Sequence, residues 1–215
     1  MTVEVPRYDY RLSGSLGQPQ MNAAFIVNFE SGMIEPARQC LSPNHDERPA
    51  GVTPQLLVIH GISLPPGEFG GPEVEQLFTN SLDWDAHPYF DEIRGLKVSA
   101  HLLIRRDGEL LQFVPFTHRA WHAGESVFRG RACCNDFSLG IELEGEDDTP
   151  YSEEQYAVLI GVSNALLACY PGLTARKIAA HSDISVGRKT DPGPAFDWLR
   201  LYDGVRQSTL TETGV

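Results

Sequence analysis

The sequence predicts one α/β (α+β) domain, a central mixed β-sheet flanked by helices. Three observations predict it. Short apolar runs such as QLLVIHG (55–61) and KIAAH (177–181) are interspersed with segments of helical character. The stretch VSAHLLIRRDGELLQFVPF (98–116) reverses at Asp107-Gly108, so one strand pair must be antiparallel. Finally, 215 residues, 41% apolar and 21% charged, suffice for one core and would crowd two.

Taken in order, residues 1–20 are rich in Gly, Ser and Pro and read as a flexible leader. The folded domain is expected over 21–205, opening with MNAAFIVNF, and 206–215 form a C-terminal tail. PNHDERPAGVTP (43–54) reads as a loop, and QLLVIHG as a buried central strand ending at His60. SLPPGEFGG is a Pro/Gly loop, and PEVEQLFTN a short helix with Pro72 in its first turn. After the hairpin, FSLGIELEG alternates, with Leu139, Ile141 and Leu143 on one face and Gly140, Glu142 and Glu144 on the other. Ser152 and Gln155 form a capping box for a helix that stops before Pro171-Gly172. KIAAH is a short strand delivering His181 to a loop, and PAFDWLRLYDGV closes the domain as a helix.

Composition limits the function. A formal net charge of −12 disfavours nucleic acid and anionic membrane as partners. No apolar run has membrane-spanning length and no signal peptide is evident, so the expected location is the cytoplasm. Cys40, Cys133, Cys134 and Cys169 include no C-x-x-C pair and read as free thiols.

Three metal-ligand types, His60, His181 and Asp191, stand where strands give way to loops. Two imidazoles and a carboxylate with an open fourth position make a catalytic zinc set, although the spacing alone is a weak signal. HSDISVGRKTDPG (181–193) therefore has two readings: an exposed loop in which Lys189 makes a surface salt bridge, or a catalytic loop in which it faces the chemistry. Glu142 likewise reads as a solvated carboxylate, as does Glu144, or as a general base. His45 and His87 read as surface residues, His101 as core or pocket-facing. His118 and His122, four apart, lack the helical pattern that a ligand pair would need.

Five blocks in register resemble the AmpD family of N-acetyl-anhydromuramyl-L-alanine amidases, within the zinc amidase and peptidoglycan-recognition superfamily. They are LLVIHGISLPPGEFGG, HPYFDEIRGLKVSAHLLIRRDGELLQFVPF, RAWHAGES, CNDFSLGIELEG and HSDISVGRKTDPGPAFDW, and the resemblance runs from about residue 33 to 200. It implies a zinc amidase fold, Zn²⁺ on His60, His181 and Asp191, Glu142 as base and Lys189 at the transition state. It implies hydrolysis of the amide between 1,6-anhydro-N-acetylmuramic acid and L-alanine in muropeptide recycling. Because that substrate is anionic, Lys97, Arg129 and Arg131 are candidates for contacting it, with Trp121 as a platform and His122 beside it. The chain departs from the family pattern at Gly61, where a polar Asn is expected, and at Lys97 and Cys133, where arginines are. These departures bear on peptide preference. The rival readings are an amidase of intact cell wall and a non-catalytic recognition module.

Overall fold

The computed structural model describes residues 25–211, with side chains described to residue 205; the expected leader, 1–20, lies outside the described residues, as do 212–215 of the expected tail. Six strands form the main sheet: β1 (Arg38–Gln39), β2 (Leu56–Ile62), β3 (Leu102–Ile104), β4 (Leu110–Gln112), β5 (Ser138–Glu144) and β6 (Ile178–Ala180). Their spatial order is β6-β2-β5-β3-β4-β1. β6, β2, β5 and β3 run parallel, β4 returns antiparallel to β3 through the Asp107-Gly108 turn, and β1 is parallel to β4. The sheet is therefore mixed, as the hairpin required. Three two-stranded antiparallel pairs lie outside it: Ile26–Asn28 with Met33–Glu35, His45–Glu47 with His118–Ala120, and Val127–Phe128 with Arg131–Ala132. His45–Glu47 corrects the loop expected there, because its pairing with 118–120 satisfies backbone groups that a bare sequence run cannot show.

The helices are α1 (Glu73–Phe78), α2 (Glu153–Cys169), the single turn α3 (His181–Ile184) and α4 (Trp198–Thr211). α3 begins where a loop was expected, and α4 continues past the expected domain boundary at 205. None of the described helices is long and apolar enough to cross a membrane. The capping box of α2 forms in both directions: Ser152 Oγ accepts from Gln155 N, and Gln155 Oε1 accepts from Ser152 N. Glu153 and Glu154 add negative charge at the positive end of the helix dipole. Gln155 Nε2 also donates to the carbonyls of Glu144 and Ile104, tying the helix start to the ends of β5 and β3.

Strand alternation sorts the sheet into two unlike faces. Leu57, Ile59, Leu102, Ile104, Leu139, Ile141 and Leu143 form one core with Leu159, Val162 and Leu166 of α2 and Leu201 and Val205 of α4. Each such side chain, fully buried, contributes roughly 1.5–3 kcal/mol. The opposite face carries Ser138, Gly140, Glu142 and Glu144, between two smaller apolar clusters, one around Phe78 and Phe113 and one around Val58 and Phe137. The polar face of β5 is thus buried as well, which corrects the expectation of a solvated Glu144.

Glu144 ends a charged lattice that fixes the 63–72 loop. Its Oε1 accepts from Gly70 N at 2.6 Å and pairs with Arg105 at 3.1 Å, and its Oε2 accepts from Arg106 N. Arg105 continues to Glu75 at 2.5 Å, and Arg38 grips Glu75 with both terminal nitrogens while reaching Glu109 through Nε. The Arg38 bonds outweigh partial burial and, with Arg105, hold the Glu75 carboxyl down at about 2. A depressed folded-state pKa gives stability that is present above the ordinary 4.5 and lost as pH falls toward about 2. Glu75→Gln should therefore lower the thermal midpoint at pH 7, and the gap between variant and parent should close across that acidic window. Parallel curves for the two proteins from pH 7 to 2 would mean the pairs add nothing.

Candidate active site

β2 and β5 are parallel neighbours, and their register sets His60 directly beside Glu142. β6 flanks β2 on the other side and ends at Ala180, so the next residue, His181, starts α3 at the same edge. Carboxyl ends of parallel strands commonly hold ligands, because loops there leave a crevice. Asp191 comes back ten residues later, and Ser182 N donating to Asp191 O ties the return of the loop to its start.

Three donor atoms converge. His60 Nδ1 lies 3.0 Å from His181 Nδ1 and 3.3 Å from Asp191 Oδ2, and His181 Nδ1 lies 3.0 Å from Asp191 Oδ2. Each ring has a partner for an N–H on its far side: His60 Nε2 faces His122 Nδ1 at 2.9 Å, and His181 Nε2 faces the Ala123 carbonyl at 3.4 Å. Both Nδ1 lone pairs are then free to point inward, toward a carboxylate, an arrangement that needs a cation or proton at its centre. Tetrahedral zinc with bonds of about 2.0–2.1 Å implies ligand separations of roughly 3.3–3.4 Å. The trio is slightly contracted from that, and it is the one His/Cys/Asp/Glu cluster of metal-binding geometry among the described residues. The donor set fits.

Electrostatics favour the same use. Burial pushes His60 down to about 4, which keeps the ring neutral and able to ligate near pH 7. Burial alone would raise Asp191, but its bonds with His181 and His60 outweigh that and hold it well below the usual carboxylate range. Glu142 goes the other way: burial first, then the Asp191 charge, pushes its carboxyl well above the usual value, with Lys189 offsetting part. Its Oε1 is 4.0 Å from His60 Nδ1, outside the ligand trio, and its buried Oε2 has no hydrogen-bond partner. A buried oxygen left unpaired inside a cleft is costly unless a ligand or water completes it.

These groups line a cleft of about 700 Å³, within the usual range for small-ligand sites. Leu64, Tyr89, Ile93, Leu96 and Val98 supply an apolar wall, and Glu146, Asp147, Asp148, Arg188 and Lys189 a charged one. Lys189 makes no side-chain hydrogen bond or ion pair with any described residue, so a surface salt bridge does not account for it. Arg188 differs, being bound to the carbonyls of Ala123 and Glu125.

The other candidate contacts fall in different places. Lys97 is exposed between the wall residues Leu96 and Val98. Arg129 and Arg131 lie outside the cleft on a small hairpin, donating to the Arg176 carbonyl and to Gln55 Oε1. Trp121 is half-buried, its backbone N donating to Ser99 Oγ, and is not part of the lining, whereas His122 lines the cleft. Cys133 is exposed with φ +60°, away from the cleft. Gly61 is explained by Tyr151: a Cβ at 61 would run into its hydroxyl, which donates to the Pro192 carbonyl next to Asp191. Sequence reasoning missed Tyr151, and it missed Ser138, whose place on the Gly140/Glu142 face was the available signal.

Comparisons with known proteins agree with this geometry. The model of the N-acetylmuramoyl-L-alanine amidase family matches residues 50–194. The 1,6-anhydro-N-acetylmuramyl-L-alanine amidase AmpD of Enterobacter cloacae is 58% identical over 184 residues, spanning 86% of this chain and 98% of that one. The crystal structure of a selenomethionine AmpD derivative superposes with a TM-score of 0.81 at 53% identity, covering 84% of this chain and 99% of the other. AmpDh3 from Pseudomonas aeruginosa, solved in complex with anhydromuramic pentapeptide, is 27% identical with a TM-score of 0.53, covering 76% of this chain and 65% of that one.

Proposed function

The chain belongs to the N-acetylmuramoyl-L-alanine amidase family, and on that premise we infer that it hydrolyses the amide joining 1,6-anhydro-N-acetylmuramic acid to L-alanine of the stem peptide. The convergence of His60, His181 and Asp191 beside Glu142, inside a cleft, carries this reading. We assign the metal as zinc, held by those three side chains. Bound there, zinc would supply Lewis-acid polarisation of the amide carbonyl and would bring the pKa of a water from roughly 15.7 to about 7.

The rest of the chemistry falls to the chain's own groups. Glu142 accepts a proton from the attacking water and returns it to the departing alanine nitrogen. Its unpaired Oε2 and its burial favour that exchange, since that oxygen has no competing hydrogen-bond partner among the described residues. Lys189, an ammonium at the cleft wall, stabilises the oxyanion that forms at the amide carbonyl. The apolar wall takes the non-polar parts of sugar and peptide, and Lys97 at its edge meets peptide carboxylates against an overall charge of −12. The substrate class we assign is the soluble anhydromuropeptide of cytoplasmic recycling; the relatives' names supply 1,6-anhydro-N-acetylmuramyl-L-alanine and, for AmpDh3, anhydromuramic pentapeptide.

The test offers zinc-analysed protein soluble anhydromuropeptide and purified sacculi side by side. Near one zinc per chain and fast release of stem peptide from the soluble substrate are expected, with sacculi far slower. Comparable turnover of sacculi would move the reading to a lytic amidase, and binding without turnover to a recognition module.

A further inference from the structure

We propose that His122, backed by Ser138, is a positioning residue for the metal ligand His60: its Nδ1 accepts a hydrogen bond from His60 Nε2–H, which holds the proton on Nε2 and leaves the Nδ1 lone pair to the metal. The proposal rests on the reading that His60, His181 and Asp191 hold zinc. It concerns what stands behind them.

A buried line of polar atoms runs back from the site. His60 Nε2 meets His122 Nδ1 at 2.9 Å, and His122 Nε2 meets Ser138 Oγ at 3.0 Å. The His60 and His122 rings are perpendicular, centroids 5.0 Å apart, and all three residues are buried. The fold spends two further features on holding His122 there. Gly140, next to Glu142 on the same face of β5, leaves room for the ring, since a Cβ at 140 would stand 2.6 Å from its Cγ and Nδ1. Asn135 Oδ1 accepts from both His122 N and Ala123 N, fixing the backbone that presents the ring.

A neutral imidazole carries one N–H, so the line has two self-consistent settings. In one, His60 holds its proton on Nδ1, toward Asp191 Oδ2 at 3.3 Å, and His122 Nδ1–H donates to His60 Nε2. In the other, His60 Nε2–H donates to His122 Nδ1, and His122 Nε2–H donates to Ser138 Oγ, which accepts or donates equally well. Only the second offers zinc a lone pair at His60. The line accommodates either setting without leaving a buried N–H unpaired. Groups that fix the far nitrogen of a ligating histidine typically account for about 10–100-fold in metal affinity.

Because His122 also lines the cleft, the experiment must separate positioning from substrate contact. Zinc dissociation constants are measured by chelator competition for the parent, His122→Phe and Ser138→Ala, with the thermal midpoint of each metal-free protein. His122→Phe should weaken zinc binding by about 10–100-fold, and Ser138→Ala should act in the same direction by less. Nitrogen NMR of the zinc-loaded parent should show His122 protonated on Nε2, a signature that a merely structural role would not require. Unchanged zinc affinity with a raised KM would make His122 a substrate contact and overturn the proposal, as would a zinc-loaded His122 protonated on Nδ1. If His122→Phe does not fold, Ser138→Ala and the NMR of the parent decide. A parent that neither binds zinc nor loses activity on chelation would instead defeat the metal reading beneath it.

Discussion

Glu142→Gln is expected to lower kcat by about 10²–10⁴-fold, the usual contribution of a positioned general base, while zinc content stays at the parental level. Glutamine preserves volume and one oxygen but has no carboxylate to accept a proton. The carboxyl lies outside the ligand trio, 4.0 Å from His60 Nδ1, so its exchange leaves all three ligands in place. Oε2 has no hydrogen-bond partner to lose among the described residues, which makes a purely structural explanation of a rate loss difficult. Single-turnover rates and metal analysis on the same preparations check this. A loss smaller than about tenfold would place the base elsewhere.

Lys189→Ala should cost on the order of a hundredfold in kcat, with KM and zinc content little changed, if the ammonium stabilises the transition state. Lys189 lies in an exposed stretch and has no ion pair among the described residues, so the variant has none to lose. An exposed lysine without a partner should in any case change stability by at most about 1 kcal/mol. Lys189→Arg should restore only part of the rate, since a planar guanidinium does not reproduce a compact charge directed at one oxygen. A near-parental kcat for Lys189→Ala would leave the metal as the sole electrophile.

The elements that sequence made legible are those governed by local chemistry. The Ser152/Gln155 box, the Asp107-Gly108 turn and the β2 run each need only neighbouring residues, and each is present. His60, His181 and Asp191 were legible as ligand types at strand ends, and their convergence agrees with the spacing a metal requires. Glu144 was misread because alternation tells which residues share a face, not what covers that face. Its cover, Gly70 N and Arg105, comes from loops and strands distant in sequence. Arg129 and Arg131 show the same limit: charge made them candidates, but the hairpin carrying them lies away from the cleft. Ser138 and Tyr151 act through contacts with residues 16 and 41 positions away, which no local pattern reports.

The register of β2 against β5 has a consequence for how this site can diverge. His60 and Glu142 are rungs of one parallel ladder, so the proposed ligand and the proposed base are spaced by backbone hydrogen bonding rather than by any loop. The apolar wall, by contrast, comes mainly from the segment between Leu64 and Val98, which holds none of the His60, His181 and Asp191 cluster. Reactivity and recognition are therefore written in separable parts of the chain. Exchanging 64–98 between relatives is the rational way to retarget the enzyme, because the bond-breaking centre would be inherited intact while the surface that chooses the substrate is replaced.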